Sequence, residues 1–382
     1  MDRIPALTSI RGIAALLVFV GHYTTMAGRH HFGAKPGQDP VWRLLAQGGS
    51  GVTVFFALSG FLLVGRYLDT PWGLREFGRY WLRRAARILP LYWVLCTIYL
   101  VSPLWTGWPW EPFGAWPIFY TLTQGFFVDL KFGNIGVAWS LTVEESFYVI
   151  LLPLVSALGL AWRAHSSFLR GAMGGALVLG LFAITLYQLG RALGDQHWIT
   201  SWGFFAGRGQ WRAYTICGRF LDFACGALLA LIFRRTRNRL LNRRWLPDVG
   251  IIVAAVLFVV VAAMAPREGI VGSAGWRANM VLAALSACVI YLCCVPRGCF
   301  TKVLAWRPFV YVGEISYAFY LVHHDLIYPL ASALPWLATC PFVVGCAVTY
   351  LASSLVAAGC FELIERPCRR WLLARLDRPI AA

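Results

Sequence analysis

The sequence predicts an all-α polytopic membrane protein of about ten transmembrane helices with both termini in the cytoplasm. Three observations carry that prediction. Of its 382 residues 59% are hydrophobic and 13% charged, where a soluble globular chain has roughly 25% charged residues. The mean hydropathy is +0.64, and the apolar residues gather into runs close to the ~20 residues that cross a bilayer as a helix. Those runs fall at about 7–27, 51–68, 89–106, 137–160, 171–190, 214–233, 247–265, 277–296, 309–332 and 341–364.

The third observation is where the charge lies. The net charge is +17, which in a soluble protein would suggest nucleic acid. With the N-terminus inside, the inner connections 66–88, 161–170, 234–246, 297–308 and 365–382 together with Arg3 hold 23 of the 34 Lys and Arg. The outer segments hold nine, and Arg11 and Arg219 remain within spans. That asymmetry follows the positive-inside rule and places both termini in the cytoplasm. The lipid bilayer is the partner this basicity serves, and no nucleic acid is expected.

The first span, RGIAALLVFVGHY, carries Arg11 near its start and His22 near its end. Eleven helical steps of about 100° return nearly to the starting face, so the two share one side of a helix, about 16 Å apart along its axis. The compact Ala15 and Val18 lie between them. A cation and an imidazole aligned down a membrane helix point to function; the alternative is that each snorkels to its own interface. The span does not read as a cleaved leader, because Arg11 sits inside the apolar run and no small-residue cleavage site follows.

The outer loop 28–50 holds His30 and His31, which read as a solvated pair because no carboxylates stand at ligand spacing. The second span has Ser59-Gly60 in FFALSGFLL. Such a pair either lets helices pack closely or opens a passage and exposes backbone to a ligand. In REFGRYWLRRAARILPLYW, Arg75, Arg79, Arg83 and Arg87 recur every four residues, with Arg84 beside them. This stripe either meets anionic headgroups or clamps a phosphate with guanidinium forks. The region 103–136, rich in Trp105, Trp108, Trp110 and Trp116, is too broken to span and reads as a re-entrant or interfacial piece.

The fourth span opens WSLTVEESFY, and carries Glu144 and Glu145. Carboxylates at that depth face the bundle interior. Glu144 is a candidate to anchor Arg11, orient His22 or hold a hydroxyl-bearing substrate, or else to pair structurally with Arg219. Arg219 and Asp222 stand three apart and can also pair with each other. The basic run RRTRNRLLNRR after them reads as a topology determinant. In the ninth span Ser316, Tyr320 and His323 share a helical face, with Tyr317 and His324 adjacent. The last span exits through FELIERPCRRW. The eleven cysteines, Cys225, Cys293, Cys294 and Cys346 among them, form no C-x-x-C pair and read as small buried apolar residues.

In order, RGIAALLVFVGHY, FFALSGFLL, RRAARILPLYW, AWSLTVEESFY, SYAFYLVHH and IERP resemble the hallmarks of the acyltransferase-3 family of bacterial integral membrane proteins. The resemblance covers residues 1–370, expected to form the acyltransferase domain, with 371–382 a cytoplasmic tail. Some relatives carry a further extracytoplasmic esterase-like domain, and none is expected here. The resemblance implies a multi-pass protein of the bacterial inner membrane that O-acylates a carbohydrate or glycolipid of the envelope. It implies acetyl-CoA as the donor, with succinyl a possible variant, and no metal.

Position by position, Arg11 and His22 match the family's first-span pair, and Ser59 and Gly60 its second-span motif. Arg84 and Arg87 match its cytoplasmic arginines, and Trp139, Ser140 and Glu144 its fourth-span motif. His323 matches the histidine of SYxxYLxH, although Val322 stands where tryptophan is common and His324-Asp325 where proline is common.

On this reading His22, Arg11 and Glu144 are catalytic. Arg79, Arg84, Arg87, Ser59 and Gly60 hold the donor, and Trp139, Ser140, Tyr320 and His323 bind the acceptor. The ~16 Å rise from Arg11 to His22 is comparable to an extended pantetheine arm. His22 would act as general base on the acceptor hydroxyl or carry the acetyl group itself. The competing class is a transporter or flippase of an envelope glycan or acyl group, since buried Arg, His and Glu suit one equally. Against it stand the inner arginine pattern and the lack of two matching interrupted helices.

Overall fold

The computed structural model describes residues 4–27, 39–106, 113–164, 167–194, 203–205, 209–240, 245–266, 272–295 and 298–376. Backbone in hydrocarbon must satisfy its own hydrogen bonds, so apolar runs of this length become helices. Among these residues ten long helices form: α1 Pro5–Ala27, α2 Ser50–Tyr67, α3 Leu74–Val101, α4 Trp139–Arg163 and α5 Phe168–Gly194, then α6 Ile216–Leu240, α7 Leu246–Met264, α8 Ser273–Leu292, α9 Ser316–Ala333 and α10 Phe342–Cys360. Among the described residues there is no strand, only an isolated bridge between Phe127 and Phe204.

Among the described residues, nine helical segments are long and apolar enough to cross a membrane. The exception is α9, and its place in the bundle explains why. The run expected at 309–332 is two helices, Arg307–Glu314 and α9, meeting at Ile315. Every residue from Ser316 to His323 is buried, so the first half of α9 faces protein rather than lipid and tolerates Tyr317, Tyr320 and His323 there.

The stripe helix and the third span are also continuous, because α3 runs from Leu74 through Pro90 to Val101. Between α3 and α4 the described residues from 113 to 138 pack as short turns and helical pieces, among them Trp116–Tyr120. Tyr92 and Trp93 of α3 donate to the carbonyls of Phe119 and Tyr120 at 2.7 and 3.0 Å. The residues with Trp108 and Trp110, and the loop with His30 and His31, lie outside the described part. All eleven cysteines are free.

Contacts along α1 set the directions of its neighbours. Gly313 meets the backbone of Thr8, and Phe19 meets Phe319 and His323 in edge-on ring contacts. Thus α9 runs parallel to α1. Helix α10 returns, passing Tyr23 at Phe342 and Phe19 at Tyr350. It then passes through a π-helical turn, Phe361–Glu365, into the helix Arg366–Leu376. That helix crosses position 370 unbroken. Residues near both ends of the chain, Ile4 and Arg366 to Leu373, line one cavity. Both therefore sit at the Arg11 end of the bundle.

The most extensive helix contact is α2 on α6, and two glycines permit it. A Cβ on Gly226 would lie 1.8 Å from the Ala57 carbonyl oxygen, and one on Gly60 would lie 2.0 Å from that of Phe223. Neither backbone can yield without parting the helices. Gly226→Ala should therefore cost about 1–3 kcal/mol and lower the thermal unfolding midpoint of the purified protein. Gly359→Ala, where an added Cβ meets nothing within 4 Å, should leave it unchanged.

Candidate active site

At the Arg11 end a cavity of about 610 Å³ opens among α1, α2, α3 and the final helix. Seven arginines line it (Arg11, Arg66, Arg84, Arg87, Arg366, Arg369 and Arg370) against two glutamates, Glu314 and Glu365. Their positions follow from local helix geometry. Arg84 and Arg87 lie one turn apart on α3, with Arg84 over the Tyr148 ring at 5.7 Å. The π-helical turn carries Glu365 into the interior, where it is 3% exposed; such turns recur at functional sites. Arginine forks held this densely can take phosphate oxygens bidentately.

Arg11 also lines a second, narrow cavity of about 40 Å³ with Phe55, Phe56, Ser140, Glu144, Tyr317 and Tyr320. Here Glu144 Oε1 accepts from Ser59 Oγ at 2.8 Å and from Tyr148 OH at 2.5 Å. Ser140 Oγ and Tyr320 OH meet at 2.8 Å, one donating to the other, while the remaining hydroxyl proton can go to the Val137 carbonyl, 3.0 Å from Ser140 Oγ and 3.3 Å from Tyr320 OH. The two cavities share one wall residue of consequence, the Arg11 guanidinium.

At the far end of α1, His22 Nδ1 lies 2.9 Å from His323 Nε2, with the two rings stacked. The other nitrogen of His323, Nδ1, faces the carbonyls of Phe319 and Tyr320 at 3.1 and 2.9 Å. Carbonyls only accept, so that Nδ1 carries a proton. In the neutral ring His323 Nε2 then accepts, His22 donates from Nδ1, and His22 Nε2 is left with its lone pair. The carbonyls thus select the tautomer of a potential base, as second-partner hydrogen bonds on imidazole do. His324 packs edge-on against His22 and pairs with Asp325 at 2.8 Å.

The structure brings together Arg11, Arg84 and Arg87 in one cavity, Arg11, Glu144, Ser140 and Tyr320 in the next, and His22 with His323. Five residues stand apart from the groupings the sequence suggests. Arg79 does not line the basic cavity, because the stripe curls around α3 and turns it away from Arg84 and Arg87. Gly60 is taken up by the contact with Phe223, and Ser59 by Glu144, so neither lines the basic cavity. Glu144 is held by Ser59 and Tyr148, whereas the partner on His22 Nδ1 is His323. Trp139 lies apart from Ser140's cavity, edge-on to Tyr214 at 4.8 Å. Arg66, Arg366, Arg369, Arg370, Glu314 and Glu365 were not singled out for the basic cavity. Their one local signal is the helical spacing of Glu365, Arg366, Arg369 and Arg370 after the last span. Among the described residues no His, Cys, Asp or Glu cluster could hold a metal ion.

A third polar group lies between α2, α6 and α8. Arg219 pairs with Asp222 at 2.8 Å as their spacing allowed, and both are almost wholly buried. Thr53 and Asn279 close the ring: Arg219 Nη2 donates to Thr53 Oγ1, Thr53 to Asn279 Oδ1, and Asn279 Nδ2 to Asp222 Oδ1.

Residues 4–358 match the model of a family described as an acyltransferase domain. The chain belongs to the acyltransferase-3 family. It is thus an acyltransferase, and a multi-pass membrane one. It is 25% identical to the acyltransferase MdmB of Streptomyces mycarofaciens, over 99% of this chain and 94% of that protein. It is 21% identical to the peptidoglycan O-acetyltransferase OatA of Listeria monocytogenes, over 96% of this chain and 56% of that protein. With the O-acetyltransferase OatA of Staphylococcus aureus the identity is 22%, over 96% and 57%. The chain spans little more than half the length of the two OatA proteins. No solved structure matches it.

For this family member, breaking the Arg219 ring exposes its energetics. Asp222→Ala leaves a buried guanidinium without its counter-charge and should cost about 3–5 kcal/mol, read as lost folded protein on detergent extraction. Arg219→Met combined with Asp222→Leu should recover much of that yield.

Proposed function

We propose that the protein moves an acetyl group from cytoplasmic acetyl-CoA to a hydroxyl of an extracytoplasmic carbohydrate or glycoconjugate. The observation that carries this reading is the position of Arg11, which lines both the arginine-rich cavity and the narrow polar cavity beyond it. A donor held by its phosphates at Arg84, Arg87, Arg369 and Arg370 would extend its thioester arm past Arg11 toward the His22 end. The concentration of Lys and Arg in the segments on that side supports a cytoplasmic, inner-membrane orientation for it. The two relatives named as O-acetyltransferases support acetyl as the group and oxygen as its destination.

In the transfer step His22 Nε2 accepts the proton of the acceptor hydroxyl as its oxygen attacks the thioester carbonyl. The sulfur leaves with the bonding electrons, and the proton on His22 neutralises the thiolate. A neutral imidazole suits this task near neutral pH. His323, held by two carbonyls, keeps His22 in the productive tautomer. Glu144, with its donors Ser59 and Tyr148, supplies the negative charge facing Arg11.

Radiolabelled acetyl-CoA and purified protein test this directly. Arg84→Ala and Arg369→Ala should each weaken donor binding by about tenfold or more, the more so at low salt. His22→Ala should bind the donor normally and transfer nothing. Absence of donor binding by the wild type would overturn the reading in favour of a transporter or another donor.

A further inference from the structure

A cavity of about 240 Å³ lies over the buried Arg219 ring and belongs to neither cavity described above. Its walls include Gln47, Trp139, Tyr214, Arg219, Ala278 and Asn279. It sits at the His22 end of the bundle on two counts. Gln47 and Gly49 line it, and Gly48 between them packs so closely on Gly21 that a Cβ there would lie 2.8 Å from the Gly48 Cα. Trp139 precedes Ser140, whose hydroxyl meets Tyr320, and the Tyr320 ring lies 5.8 Å from that of His323.

Its chemistry is specific. Arg219 is 0% exposed, and its Nη1 has no hydrogen-bond partner among the described residues. A guanidinium N–H left over at this depth calls for an oxygen acceptor. That acceptor need not be charged, because Asp222 already balances Arg219 and Asn279 holds the other Asp222 oxygen. A carboxylate entering beside a neutralised pair would itself be an unpaired charge inside the bundle. Lys131, the cation behind Tyr214, gives its ammonium to the Val128 carbonyl and does not line the cavity. Trp139 and Tyr214 stand at 88° to each other, which offers an apolar corner to a ring with one hydrophobic face. The volume is below the roughly 300–1,000 Å³ of sites for drug-sized ligands, so the cavity takes one ring rather than an oligosaccharide.

We propose that this cavity is the acceptor subsite, and that it binds a single uncharged pyranose, its apolar face in the Trp139–Tyr214 corner and an oxygen on Arg219. The proposal deepens the transferase reading and rests on it for the direction of transfer, but binding of the sugar can be read without any donor.

Protein in nanodiscs would be given tritiated methyl N-acetyl-β-glucosaminide or methyl β-glucoside, and separately methyl β-glucuronide, with no acetyl-CoA present. The wild type should bind the neutral glycosides and not the glucuronide. Ala278→Phe, which fills the cavity, should abolish that binding, and Trp139→Ala should weaken it by roughly tenfold, with Trp139→Phe largely restoring it. Acetyl-CoA binding, measured in parallel, should survive in all three variants and confirms that they are folded.

Equal glycoside binding in Ala278→Phe and wild type would overturn the subsite, as would preference for the glucuronide or no binding of either neutral glycoside. Glycoside binding without any acetyl-CoA binding would uphold the subsite and overturn the donor reading instead.

Discussion

Helix α1 places a cation and an imidazole where lipid can solvate neither, and most of the bundle answers that constraint. In hydrocarbon a charge or an unmet N–H must find its partner within the protein. Glu144 and Glu365 enter the two cavities that Arg11 lines, one from α4 and one from the π-helical turn after α10. His22 finds its partner on α9. Those demands keep the first half of α9 in the interior, and the polar residues they require there set it apart from the nine more apolar helical segments found among the described residues. They also set its height beside α1, with His323 level with His22.

The same constraint divides the molecule by chemistry along its length. At one end seven arginines face two glutamates around a large cavity, an excess of charge that only an anionic ligand or water can balance. At the other end the polar groups are neutral or paired: an imidazole relay ending on backbone carbonyls, and an arginine closed into a ring with Asp222, Thr53 and Asn279. The donor and acceptor proposed above would ask for these two environments. Arg11 stands between them.

Much of this is legible in the sequence because it is local. Ten helices follow from runs of apolar residues, since backbone in a bilayer has almost no alternative to helix. Arg11 and His22 share a face because eleven residues make nearly three turns, and Arg219 meets Asp222 because three residues make nearly one. The twofold reading of Ser59-Gly60 was resolved only by its neighbours, with Gly60 against the Phe223 carbonyl and Ser59 on Glu144. In the sequence the arginines after the last span count only toward the basic inner segments, and only the fold of the final helix against α3 puts Arg369 and Arg370 beside Arg84 and Arg87.

The sequence by itself therefore determined that the protein is helical and membrane-spanning and where its helices run, while the expectation of acyl transfer came from its resemblance to a family. The helices depend on composition, periodicity and spacing, which short-range geometry converts directly into structure. Tertiary structure alone decided which groups act together. His22 and His323 are 301 residues apart, and Thr53 meets Arg219 across 166. No periodicity links such positions; only the packing of glycine-bearing helices, and the need to match every buried polar group, brings them within a hydrogen bond.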